Sequence, residues 1–310
     1  MANAVISATA ETILKMKDHY KKDLVEKVPQ GGVFSAKING CTITAYKSGK
    51  VLFQGANGEA ESSKWGTAAP AKPKSPKTKT SGMALPENIS DLSLIGSDEV
   101  GTGDYFGPIT VVSAYVERSQ IPLLKELGVK DSKNLSDPQI IEIAKKLLKF
   151  IPYSLLTLPN KKYNQWQKKG MTQGKIKAVL HNHAIQNLLE KIEPTVPEAI
   201  LIDQFTEANT YYKHIQGQKR IIRDRVYFST KGESIHIAVA AASILARYAF
   251  LKAMDSLSEK AGFIIPKGAG PIVDKAAAKL IQSKGEAALE DFTKLHFANT
   301  QKAMKIVYKK

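Results

Sequence analysis

The stretch Ser97-Asp98-Glu99-Val100-Gly101-Thr102-Gly103-Asp104-Tyr105-Phe106-Gly107-Pro108 decides how the rest of the chain is read. An apolar run (Leu92, Leu94, Ile95) leads into two adjacent carboxylates. Three glycines and a proline follow, and then a second apolar run from Ile109 to Val116. The pattern predicts a strand, a tight loop and a second strand. Gly101, Gly103 and Gly107 allow left-handed backbone or close approach by another group, and Pro108 ends the loop. Two carboxylates at the end of a strand buried on both faces are costly unless something positive meets them. The competing reading is an exposed acidic turn.

Two more carboxylates stand in comparable places. Asp203 ends the aliphatic run Ala199-Ile200-Leu201-Ile202, and Glu233 follows Lys231-Gly232 where a last strand gives way to an alanine-rich helix. In α/β sheets, functional side chains gather at such strand ends. Asp98, Glu99, Asp203 and Glu233 brought together would repel one another and be pushed toward protonation. Oxygen-only clusters suit hard divalent cations, Mg²⁺ or Mn²⁺, and no Cys/His spacing suggests zinc. Two such ions close together could activate a water and stabilise the leaving oxygen of a phosphodiester. Strand alternation sends Asp98 and Glu99 to opposite faces, so both reach one site only if the backbone twists or bulges there.

Composition bounds the function independently. The chain has 310 residues, room for one large domain or two ordinary ones, and 43% apolar content is enough for a substantial core. No apolar run approaches the length needed to span a membrane, and the N-terminus lacks the pattern of a secretory signal. The one cysteine, Cys41, cannot form an intramolecular disulfide, which points to a reducing compartment and a buried thiol acting as a small hydrophobe. The formal charge of +16, from 45 basic against 29 acidic residues, points to a polyanionic partner such as nucleic acid, or less often an anionic membrane surface.

The chain divides by composition into residues 1–65, 66–90 and 91–310. In the first part a helical pattern over roughly 8–26 precedes strand-like runs at 33–38, 41–46 and 51–54, with turns at Asn39-Gly40 and Ser48-Gly49. Residues 66–90 are rich in Pro, Lys, Thr, Ser and Ala and read as an exposed linker. Its four lysines against one glutamate are solvated or touch phosphate.

From residue 91, strands alternate with helices. Ser136-Asp137-Pro138 opens a helix with Ile140, Ile143, Ala144 and Leu147 on its buried face, and 153–158 reads as strand. Further helix is expected at 174–192, strand at 199–202 and 221–229, and helix at 235–260 and 273–297. This predicts an α/β domain with a mixed sheet and flanking helices. Ala240-Ala241-Ala242-Ser243 would let a helix pack closely on the sheet.

The runs GSDEVGTGDYFGP (96–108), DSKNLSD (131–137), LIDQF (201–205) and STKGESIHIAVAAASILARYAF (229–250) resemble, in order, the motifs of the type 2 ribonucleases H, in particular the bacterial branch called ribonuclease HIII. The resemblance covers roughly residues 90 to 305. It implies a ribonuclease H-like fold and a metal-dependent endonuclease that cuts the RNA strand of RNA/DNA hybrids, cytoplasmic and monomeric. It assigns Asp98, Glu99 and Asp203 to the active site. Type 2 relatives place a fourth carboxylate on the helix after Ala241-Ala242-Ser243-Ile244-Leu245-Ala246-Arg247, near Leu251, and this chain has none in that register; Asp255 lies a turn further on. The HIII branch instead uses a glutamate in a KGE-like segment, here Glu233. Lys133 matches a position near substrate phosphates, with a solvated lysine as the alternative.

Gly101-Thr102-Gly103 would set backbone amides against the RNA strand, where the 2′-hydroxyl distinguishes RNA from DNA. Junction-cutting relatives carry arginine where this chain has Thr102, so the resemblance favours a need for several consecutive ribonucleotides over incision at a lone one. Tyr46-Lys47-Ser48-Gly49-Lys50-Val51-Leu52-Phe53 resembles a strand turn in one half of the TATA-box-binding-protein fold, which makes Lys47 and Lys50 candidate phosphate contacts. Otherwise these lysines keep a hairpin edge soluble.

Several features stay open between two readings. Residues 161–169 interleave lysines with Tyr163 and Trp166 either as a nucleic-acid surface or as an aromatic-anchored loop. His181 and His183 read as packed or solvent-touching rather than ligating, and Arg247 as phosphate-facing or snorkelling. A non-catalytic nucleic-acid-binding protein whose carboxylates hold a structural ion is the alternative from another functional class.

Overall fold

The computed structural model describes residues 3–26, 28–29, 31–65 and 80–308, and the chain separates into two compact units, Met1–Lys77 and Thr78–Lys310. In the first unit the elements are β1 (Asn3–Ser7), α1 (Ala10–His19), β2 (Gly32–Ile38), β3 (Cys41–Tyr46), β4 (Lys50–Gly55) and α2 (Gly58–Ser62). Its antiparallel sheet runs in the order β1-β4-β3-β2. The Thr9 hydroxyl caps α1 by accepting from the Thr12 amide, and Ile13, Met16 and Tyr20 pack with Phe34, Ile43 and Phe53.

The helix is shorter than the expected 8–26. After His19 the chain is drawn back to the sheet, where Leu24 bridges Ala36 and the Val25 amide donates to the Ser35 carbonyl at 2.9 Å. Strand β1, ahead of the helix, was not expected. The Asn39-Gly40 turn has positive φ at both residues, as its hairpin requires. Cys41 is buried, and burial pushes its thiol up.

The second unit comprises β5 (Thr80–Ser81), β6 (Leu94–Val100), β7 (Ile109–Val116), α3 (Ile121–Glu126), α4 (Asp137–Phe150), β8 (Tyr153–Leu158), α5 (Asn160–Lys168), α6 (Gln173–Lys191) and β9 (Ala199–Asp203). It continues with α7 (Ala208–Ile215), β10 (Val226–Ser229), α8 (Ile237–Ala261), α9 (Pro271–Lys284), α10 (Leu289–Phe292) and α11 (Ala298–Tyr308). The sheet order is β5-β10-β9-β6-β7-β8, parallel at β10/β9 and β9/β6 and antiparallel elsewhere. Helices α3, α4 and α8 cover one face, α6 and α7 the other. A third apolar cluster joins Tyr105 and Phe106 to Phe250, α9 and α11. Of the predicted linker, residues 66–79 lie outside the described residues; Thr80–Ser81 pairs with β10, and Ile89 is buried.

Three expectations need correction. Strand β10 begins only at Val226, because Arg225 takes a positive φ and ends extended pairing on that side. The helix expected over 273–297 is broken at Gly285, where φ is +81. Helix α8 is long and apolar enough by length and composition to cross a membrane, contrary to the reading of the runs; 72% of its apolar window is buried as the core helix on β6 and β7. Its small side chains allow this contact, and so does Gly96 on β6. A Cβ at Gly96 would collide with the backbone of Ala238 and Val239, so the first turn of α8 lies directly on the strand.

Candidate active site

Strand β6 ends in Asp98 and Glu99, and its pairing with β7 is regular from Leu94↔Val116 to Val100↔Thr110. The register excludes a bulge, yet Asp98 and Glu99 both line one cavity at the strand end. Asp98 turns toward α8, where Ser243 is a hydrogen-bond partner, and its Oδ1 accepts from the Glu99 amide at 2.7 Å. Burial first, then the neighbouring charges of Glu99 and Asp203, raise its carboxyl well above the usual range.

Glu99 turns to the other face, toward α6. Lys177 Nζ donates to its Oε1 and His181 Nε2 to its Oε2, both at 2.8 Å. Burial alone would raise the Glu99 carboxyl; the His181 and Lys177 contacts outweigh it and hold it below the ordinary value. His181 is fully buried, its Nδ1 is 2.7 Å from Ser97 Oγ, and its ring stacks on Phe205. The packed reading of His181 is therefore right as to burial, yet it omitted the bond to a site carboxylate. His183 is half-buried and meets Gln218 at 2.8 Å.

Asp203 ends β9 beside β6, and its Oδ1 accepts from the Gly232 amide at 2.8 Å. Burial, with Glu233 and Glu99 nearby, raises its carboxyl, against the Gly232 bond and Lys133. Lys231 occupies the left-handed region (φ +60), a rare conformation for a side-chain-bearing residue, and it turns the chain so that Gly232 faces Asp203 and Glu233 points inward. Glu233 Oε1 accepts from Lys133 Nζ at 2.8 Å, and its Oε2 is buried without a hydrogen-bond partner. The Glu233 bond raises the Lys133 ammonium. Asp255 is exposed on α8 and does not line this cavity.

A cavity of about 560 Å³ is lined by Asp98, Glu99, Gly101–Asp104, Lys133, Asp203, Ser243 and Arg247 among others; Glu233 is not among its lining residues and adjoins it through Lys133. Its glycine loop is firmly held. Gly101 and Gly107 have positive φ, Gly107 N donates to Phe292 O at 3.0 Å, and Gly268 N donates to Asp104 Oδ1 at 2.6 Å. The fully buried Lys294 donates through Nζ to the carbonyls of Asp104 (2.8 Å) and Gly107 (2.5 Å); burial lowers its ammonium to about 7. Gln173 Nε2 donates to Thr102 O at 3.1 Å. Arg247 pairs with Asp137 at 3.1 Å, and Lys267 pairs with the same carboxylate.

Residues 161–168 lie in α5, with Tyr163 fully buried and Lys168 on Glu290 at 3.1 Å, so the aromatics anchor a helix instead of facing solvent. In the first unit, Lys47 is exposed in its turn and Lys50 Nζ donates to Ser7 Oγ at 2.7 Å.

Residues 95–300 match the family model for ribonuclease HII, and residues 3–78 match a domain family of unknown function. A ribonuclease HIII of Bacillus subtilis (strain 168) is 61% identical over 312 residues, covering 100% of this chain and 99% of that protein. The chain belongs to the ribonuclease HIII family. The crystal structure of Bst-RNase HIII in complex with Mn²⁺ is 47% identical, covers all of both chains and superposes with a TM-score of 0.72. The ribonuclease H2 of Pyrococcus horikoshii OT3, at 21% identity over 71% of this chain and 100% of that one and a TM-score of 0.59, shares the fold.

For a ribonuclease HIII chain the donor set is apt. The four carboxylates offer only oxygen, and Glu233 Oε2 is a buried acceptor with nothing to accept from, which suits a hard cation. Among the described residues, however, no three acidic or histidine side chains stand close enough to enclose one ion as they are placed. Backbone amides hold Asp98 and Asp203, Lys133 holds Glu233, and α6 holds Glu99.

Proposed function

We propose that this ribonuclease HIII chain hydrolyses the RNA strand of RNA/DNA hybrids as an endonuclease, with Asp98, Glu99, Asp203 and Glu233 holding Mg²⁺ or Mn²⁺. The observation that carries the reading is the partnerless Oε2 of Glu233, whose charge bears on Asp203, next to a cavity lined by Asp98, Glu99 and Asp203. Two divalent ions, when bound, supply an activated water and a counter-charge for the leaving oxygen. The chain supplies position. Gly101, Thr102 and Gly103 present backbone to the ribose, where a 2′-hydroxyl can be tested, and Lys133 neutralises a phosphate at the rim. Lys294 and Phe292 keep the glycine loop from yielding when the duplex presses on it.

In this reading residues 1–65 are a TATA-box-binding-protein-like domain that adds phosphate contacts through Lys47 and Lys50, residues 66–90 a linker and 91–310 the catalytic domain. The protein acts as a cytoplasmic monomer. The test is a labelled hybrid incubated with and without Mg²⁺ or Mn²⁺. Metal-dependent cuts within the RNA strand are expected; metal-independent cutting, or none with either ion, overturns the proposal.

A further inference from the structure

Glu99 differs from the other site carboxylates in that both its oxygens are occupied by side chains of one helix. The two partners are not equivalent. His181 is fully buried, bonded through Nδ1 to Ser97 on β6 and stacked against Phe205, so its ring is fixed at both ends. Lys177 reaches Oε1 from a four-carbon stem at the wall of the site. Its ammonium is 4.1 Å from the centre of the Phe205 ring, and its side chain is only 12% exposed. A desolvated ammonium against a carboxylate and an aromatic face is stable where it stands, yet it can swing where the imidazole cannot.

We propose that Lys177 is a tethered counter-ion: before metal is taken up it neutralises Glu99, and a divalent ion must displace it from Oε1 to use that carboxylate. His181 keeps Oε2 oriented throughout. The inference rests on the proposed metal site. It accounts for Glu99's share in the absence, among the described residues, of three ligating groups close enough for one ion. It also gives the carboxylate cluster a charge balance that does not require metal during folding. Lys177 is thus a positioning residue that sets metal affinity, and it touches no reacting atom.

The test is titration calorimetry of the full chain with MnCl₂, without nucleic acid, on the wild type, K177M and K177R. K177M is expected to bind Mn²⁺ roughly tenfold tighter, a coupling of ordinary size between two cations at one site. It should also melt at lower temperature in EDTA and gain more on adding Mn²⁺. K177R, which keeps the charge, should retain the wild-type affinity. Equal or weaker Mn²⁺ binding by K177M overturns the proposal, and K177Q carries the same expectation if K177M does not fold. A wild type that binds no Mn²⁺ overturns the metal site itself, before any variant is read.

Discussion

The two faces of the sheet at the end of β6 solve the same electrostatic problem in opposite ways. On the α8 face, Asp98 meets small side chains and a serine, and its carboxyl is pushed up toward the neutral form. On the α6 face, Glu99 meets an imidazole and an ammonium, and its carboxyl is held down as an anion. One peptide bond separates them. The difference teaches that adjacent acidic residues in a motif need not share a task or an energetic sign: one is strained by burial, the other is satisfied in it.

The sharpest test of that contrast compares Asp98→Asn with Glu99→Gln. Both should lose cleavage by roughly 10³-fold, since each removes a proposed metal ligand worth several kcal/mol in the transition state. Their stabilities should move apart. Asn at 98 relieves repulsion and should leave the melting temperature equal or higher. Gln at 99 strands Lys177 in a nearly closed site and should cost on the order of 1–3 kcal/mol. Thermal melts in EDTA decide it, and loss of stability of similar size in both variants would break the comparison.

A second test asks where the fourth carboxylate lies. Glu233→Gln should reduce hybrid cleavage by more than tenfold at fixed Mn²⁺, whereas Asp255→Asn, exposed on α8, should leave the rate at the wild-type level. Steady-state rates on the same substrate read both. The reverse order would move the ligand from the Lys231-Gly232-Glu233 turn to the helix.

The smallest expected effect concerns a third way of burying a charge. Lys294 has two carbonyls for partners instead of a carboxylate, and its folded value of about 7 lies below the ordinary 10.5. Between these values the unfolded chain binds the extra proton, so stability should rise with pH across that window and gain nothing further from this group below about 7. In K294M that contribution to the slope should vanish. Wild-type-minus-variant melting temperatures from pH 7 to 10 measure it, and a difference that stays flat would mean the ammonium stays protonated throughout.

The carboxylates were legible because each ends or follows a run of aliphatic residues, which marks a strand end. The mixed α/β sheet was legible for the same reason. Strand β1 was not: five residues before a helix carry too little alternation, and it is a strand only because β4 offers an edge. Lys177 and His181 were not read as part of the site because they lie about 80 residues from Glu99 and amphipathic spacing describes only the helix they sit on. One signal was available. They are four apart, a single turn, and His181 falls within a buried stretch that includes Ala178, Val179 and Leu180, where a polar pair calls for a partner. The regular β6–β7 pairing could not be foreseen either, since glycines after Glu99 permit a bulge without requiring one.

The stitching of the glycine loop bears on the order in which the molecule comes into being. The loop at 101–107 is tied to Gly268, Phe292 and Lys294, and Tyr105 OH lies 3.0 Å from Thr300 Oγ1. A ribosome delivers all four carboxylates when it has added Glu233, yet the residues that fasten the loop above them, Gly268, Phe292, Lys294 and Thr300, all emerge later. A growing chain therefore carries its complete acidic cluster for a time without the clamp that makes the cavity rigid. A nuclease assembled in this sequence is armed by its own last helices.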